Sequence, residues 1–156
     1  MPAPAVAVQP PRLAGIVDQK KIDEGISRGV RYLKSQQASG GTWQPHGHAV
    51  GYAALPGLTL LECGVPASDP AIKKAATFVR HSIATLDGTY ELSLAILFLD
   101  RLGDPRDKAF IQTMALRLVA GQTEAGGWSY RVPILPAKES GELRSEERRV
   151  GKECRL

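Results

Sequence analysis

Cysteine is almost absent from this chain: its 156 residues carry two, Cys63 and Cys154. Two allow at most one bridge, which excludes a disulfide-stapled scaffold. No apolar run is long enough to cross a bilayer, and no positively charged start leads into an apolar stretch. Neither a membrane span nor a signal peptide is therefore visible. Patterns of strand alternation are few. Aromatic residues make up 6% of the chain, with only two tryptophans, Trp43 and Trp128.

Both tryptophans close the same phrase. Gln37-Ala-Ser-Gly-Gly41-Thr-Trp43 and Gln122-Thr-Glu-Ala-Gly126-Gly-Trp128 share one spacing, and a leucine, Leu33 or Leu118, stands four residues before each Gln. A weaker echo lies between them at Gly88-Thr89-Tyr90, with Asp87 in place of the Gln and no spacer. Trp43 to Tyr90 is 47 residues and Tyr90 to Trp128 is 38. That is the length of a helical hairpin with its loops, so stacked repeats are expected.

The hydrophobic periods agree. Ile22, Ile26, Val30 and Leu33 form one amphipathic stripe; Ile72, Ala75, Ala76, Val79 and Ile83 form a second; Phe110, Ile111, Met114, Ala115, Leu118 and Val119 form a third. Between them lie two runs that are apolar nearly all round, Ala49–Cys63 and Leu92–Leu102. Such runs must be buried on most sides. The pattern predicts outer helices at about 18–37, 69–86 and 105–121 and inner helices at about 48–63 and 89–102. Pro56 should kink or restart the first inner helix. Gly64 and Gly103 suit helix ends, and Asp69-Pro70 and Asp104-Pro105 suit helix starts. The fold class read from the sequence is all-α.

These phrases resemble the QW motif of squalene and hopene cyclases, a family of α/α-toroids that also includes protein prenyltransferase β subunits. Arg28-Gly29, Tyr32, Leu33, Gln37, Gly41 and Trp43 carry the first match, and Leu118 to Trp128 the other. The resemblance spans about residues 18–131. It implies a ring of hairpins with inner helices lining a central cavity. It also implies that each Gln bonds the amino end of the following inner helix, with the Trp packed on it. Gln37, Gly41, Trp43, Gly88, Tyr90, Gln122, Gly126 and Trp128 are read as structural clasps between hairpins. His48, Tyr52 and Glu91 stand at inner-helix starts, facing the cavity or its mouth. For Glu91, the plainer role is a carboxylate that favours the helix dipole.

The enzymes of that family rely on groups that are missing here. There is no Asp-x-Asp-Asp or Asp-Cys-Thr run to protonate an alkene or epoxide. Asp100, Asp104 and Asp107 are spread across a helix end, and Asp104 reads as a cap. His46, His48 and Cys63 do not form a zinc pattern, and Cys63-Gly64-Val65-Pro66 is not a thioester motif. His81 reads as solvated. No metal, cofactor or catalytic residue is expected in the visible chain.

The two ends differ from the middle. Pro2 to Pro11 is proline-rich and aperiodic, an extended tether up to about Ile16. Such tethers often follow an export signal, and a misassigned start would make the protein an exported one; the compartment is otherwise unknown. Arg144 to Cys154 resembles one translated frame of a common short-read sequencing adapter, so 144–156 is set aside as non-native. Without it, 15 Lys or Arg face 13 Asp or Glu, a balance of +2 instead of +4. Nucleic-acid binding then loses its support. The loop 132–143 is expected to be truncated, and the whole to be an incomplete toroid arc of about five helices. The run Leu92–Leu102, short of inner neighbours, should leave an apolar strip around Ile96 exposed. The expected role is a scaffold or module that binds an apolar small molecule or a partner protein. The alternative is part of an isoprenoid cyclase or prenyltransferase-like enzyme with its catalytic motif in the missing part.

Overall fold

The computed structural model describes residues 18–44 and 46–135, and among them the regular structure is entirely helical. The tether, the adapter-like tail and most of the loop 132–143 lie outside the described residues. The elements are α1 (Gln19–Gln36), α2 (Gly51–Glu62), α3 (Pro70–Ser82), α4 (Thr89–Leu102), a single 3-10 turn (Pro105–Asp107) and α5 (Lys108–Ala120). Two expected outer helices are therefore shorter. The one placed at 69–86 ends at Ser82 and passes into a turn, and the one placed at 105–121 opens with a 3-10 turn.

Local chemistry sets the ends. Asp18, Asp69 and Asp104 each accept from a backbone amide of the following turn: Lys21 at 3.3 Å, Ala71 at 2.9 Å and Arg106 at 3.0 Å. These are donors with no partner inside the helix. Gly64 (φ +80°) and Gly103 (φ +73°) turn left-handed to end α2 and α4. After α2, Val65 N–H reaches Leu60 O and Gly64 N–H reaches Leu61 O, which closes the last turn.

α2 and α4, the two helices expected above to be inner, run side by side in the same direction. Gly51 N–H points at Glu91 Oε1 at their starts, and Glu62 pairs with Arg101 at 2.6 Å at their ends. Midway, the Phe98 ring lies so close to Gly57 that a Cβ there would stand 2.7 Å from it. Phe98, Leu60, Ile72, Leu92, Leu99 and Met114 are the large, fully buried side chains of one continuous core. α1 contributes no fully buried residue; Val30 and Leu33 pack on the core while Ile22 and Ile26 stay exposed.

Pro56 does not restart α2, which is assigned without a break from Gly51 to Glu62. Proline has no N–H to give the carbonyl four residues back, that of Tyr52. That carbonyl instead accepts the Trp43 amide at 3.3 Å. The defect in the helix is a connection to the first clasp.

Candidate functional site

The two complete phrases fold alike. In the first, Trp43 Nε1 donates to Leu33 O at 2.7 Å, and Gln37 Nε2 donates to Gly41 O at 3.2 Å. In the last, Trp128 Nε1 donates to Leu118 O at 2.6 Å, and Gln122 Nε2 donates to Gly126 O at 2.9 Å. The leucine matters for its carbonyl, which lies in the last turn of the helix, where backbone donors run short. The indole satisfies it; at Leu118 the Gly121 amide shares it at 3.2 Å.

What Gln37 does next corrects one expectation. It donates to Ala71 O at 2.9 Å, in the first turn of the outer helix α3, and does not bond the start of an inner helix. Lys34 adds an ion pair to Asp69 at 2.6 Å. The Lys34 hydrogen bond, helped by the Ala71 amide and by Lys34's charge, holds the Asp69 carboxyl below its ordinary range against the opposing effect of desolvation. Gly41, at φ +95°, lies against Lys74 O so closely that a Cβ would stand 2.4 Å from that oxygen.

The middle echo is not a clasp. Gly88 caps α4, and Thr89 and Tyr90 lie in its first turn. Without a spacer, Tyr90 cannot fold back as the tryptophans do. It is exposed and faces Tyr130, with ring centroids 6.2 Å apart. Asp87, in the Gln position, pairs with Arg131. The junction between α3 and α5 is held by ions instead. Arg80 forks onto Asp107 with two bonds of 2.7 Å and reaches Asp104 at 3.1 Å. Asp107 is fully buried. Its hydrogen bond to Arg80 raises the guanidinium pKa further. Asp104 is lowered strongly, first by the Arg106 side chain, so both stay charged.

Arg117, unlike the partly exposed Arg80, is a buried cation. It donates to Ile83 O at 3.2 Å, to Pro133 O at 3.0 Å and to Leu86 O. Burial lowers its pKa, and the charge of Asp87 opposes that shift. The bonds tie α5 to the end of α3 and to the segment after the last clasp. That segment is more than a loop: Thr89 N–H bonds Tyr130 O, Val132 N–H bonds Asp87 O, and Val132 is buried against Gly121. Lys34, Arg80, Arg117 and Val132 were not singled out by the sequence, and Asp107 was read only as one of three carboxylates spread across a helix end. The signal available for two of them is a cation near each outer-helix end, facing the Asp cap of the next outer helix.

His48 and Glu91 do come together. Glu91 Oε2 lies 3.2 Å from His48 Nδ1, and Oε1 lies 3.5 Å from Gly51 N–H. A carboxylate in this position faces the positive ends of two parallel helices at once. Tyr52 has an exposed side chain and enters the arrangement through its backbone, its amide donating to His48 O at 3.0 Å and its carbonyl accepting from Trp43 N–H. His48, Glu91, Tyr90, Tyr130 and Arg131 line a shallow groove of about 670 Å3 across the inner-helix starts. Among the described residues no three His, Cys, Asp or Glu side chains are grouped to hold a metal ion, and no helix is long and apolar enough to cross a membrane.

The exposed apolar strip is centred differently from the expectation. Ile96 is half-buried against the core, whereas Leu55 (51% exposed) and Leu97 (54%) face outward with Tyr52. Leu55 lies seven residues before Glu62, and Leu97 four before Arg101. The Glu62–Arg101 pair therefore places both leucines on one side of the inner layer. No family model, no curated protein and no solved structure matches this chain.

Proposed function

We propose that the chain is a helical-repeat binding module, an arc of the squalene-cyclase-like α/α-toroid kind, whose inner helices hold an apolar ligand or an apolar segment of a partner protein. The observation that carries this reading is the outward face of α2 and α4, where Tyr52, Leu55 and Leu97 are exposed on helices whose other faces form the core. Large apolar side chains grouped on one face mark interaction surfaces. The carboxylates beside that face are already engaged, Glu91 with His48 and Gly51 and Glu62 with Arg101. This favours a surface that holds a ligand over one that delivers a proton.

The test is binding of an apolar reporter dye, anilinonaphthalene sulfonate, to the full chain and to the double variant Leu55→Glu/Leu97→Glu. Both positions are exposed, so the melting temperature should change little. Dye fluorescence should drop several-fold in the double variant. Equal dye binding by two equally folded proteins would overturn the assignment of the binding face.

A further inference from the structure

Among the described residues there is a seat without a helix and a helix without a seat. The first clasp shows what such a seat takes: an Asp-capped outer helix, with its first-turn carbonyl on Gln37 and a later one against Gly41. The last clasp has the same internal bonds and the same left-handed glycine, Gly126 at φ +82°. Among the described residues a Cβ on Gly126 would meet only Gln122 Nε2, at 4.0 Å, so none of them fills the space that Lys74 O takes in the first clasp. Val119 and Trp128 stand exposed beside it.

Among the described residues, α1 is the outer helix whose start is held neither by a clasp nor by an ion pair from another helix. α3 sits on the first clasp, and the Asp104 turn before α5 is held by Arg80. α1 opens with an Asp18 cap of the same kind, and its stripe residues Ile22 and Ile26 are exposed. The charges also match. Both filled junctions offer a cation, Lys34 or Arg80, to the incoming helix. The last clasp instead has Val119 in the place of Lys34 and an exposed Glu124 that forms no ion pair among the described residues. α1 opens Gln19-Lys20-Lys21, with two cations where the seat carries an acid.

We propose that the last clasp of one copy takes the amino end of α1 of a second copy, so that the chain associates head to tail. Gln122 donates to a first-turn carbonyl of the incoming helix, Glu124 meets Lys20 and Lys21, and Val119 and Trp128 cover Ile22 and Ile26. Such a contact is heterologous: each copy keeps one free edge, and growth continues until a ring closes. It uses the edges of the arc and not the inner face, so it stands or falls apart from the binding role above.

The test uses sedimentation velocity of the full 156-residue chain from low micromolar to millimolar concentration. The wild type should sediment as concentration-dependent dimers and larger species. Gly126→Asn keeps a residue tolerated at positive φ but fills the seat. Ile26→Lys spoils the helix edge. Each should weaken association by at least about tenfold. Should the Asn variant melt early, Glu124→Lys, at an exposed position, replaces it by reversing the charge of the seat. A mixture of the seat variant with Ile26→Lys retains one intact seat and one intact α1, and should give dimers that grow no further. A wild type that stays monomeric throughout, variants that associate as it does, or a mixture that does not pair would each overturn the proposal.

Discussion

Leu33–Trp43 and Leu118–Trp128 close the same four-residue circuit of indole, carbonyl, amide and glycine, yet Trp43 is half-buried while Trp128 is 49% exposed. The difference lies in the neighbours. The first clasp has α3 on one side, through Gln37, Lys34 and Gly41, and α2 on the other, through the Trp43 amide. Among the described residues the last has its own helix, the returning segment and, across a shallow groove, Thr89 and Tyr90 at the start of α4, with no outer helix seated on it. The circuit is therefore a local structure that closes without a neighbour, and burial is added when an outer helix is seated on it. Its contribution to stability should depend on position although its sequence does not.

Glycine substitution separates the two copies most. Gly41→Ala forces a side chain into left-handed backbone and against Lys74 O, so strain and overpacking add to about 3–5 kcal/mol. Gly126→Ala meets strain alone and should cost about 1–2 kcal/mol. Urea denaturation of the two variants measures the gap. Equal losses would mean that the backbone conformation, and not the seated helix, sets the demand.

The tryptophans come next. Trp43→Ala should cost about 3 kcal/mol, because it removes a ring packed on the core and leaves Leu33 O without its donor. Trp128→Ala should cost about 1 kcal/mol, because half of its ring already faces water. Comparable losses at both sites, read from thermal melts, would show that the last clasp is buried in solution by something further.

Much of this fold was legible because the signals are local. The Asp69 and Asp104 caps, the Gly64 and Gly103 ends and the stripe around Ile72 and Val79 need no knowledge of distant residues. The clasp spacing was legible for the same reason, since every bond of its circuit falls within eleven residues, from Leu33 to Trp43. The failures were tertiary. Arg80 reads as part of a wet flank until Asp107, 27 residues away, is folded against it. Arg117 reads as an exposed cation until three carbonyls from two other segments converge on it. Tyr90 repeats the residue order of a clasp, but without the spacer that lets the chain turn back.

The smallest expected effect is electrostatic and belongs to the first junction. Asp69 has a pKa below its ordinary value in the folded chain, so the stability it contributes is present above the unfolded carboxylate range of about 4 and is lost as pH falls below it. Lys34→Met removes the main cause. It should cost less than about 1 kcal/mol near neutral pH, since the lysine is partly exposed. It should also flatten the fall in stability on the acid side. An unchanged acid slope in the variant would assign that slope to Asp104, whose carboxyl is also held below its ordinary range.

Pro56 gives the first clasp a means of being read in time. A backbone amide exchanges with solvent deuterium when its hydrogen bond opens. The Trp43 amide is bonded to the carbonyl that Pro56 leaves free, inside the first turns of α2. Its exchange therefore measures how often the loop lifts off the inner helix, while the exchange of α2's own amides measures how often that helix frays. The ratio of the two rates, each corrected for its intrinsic exchange, gives the difference in opening free energy between the joint and the helix.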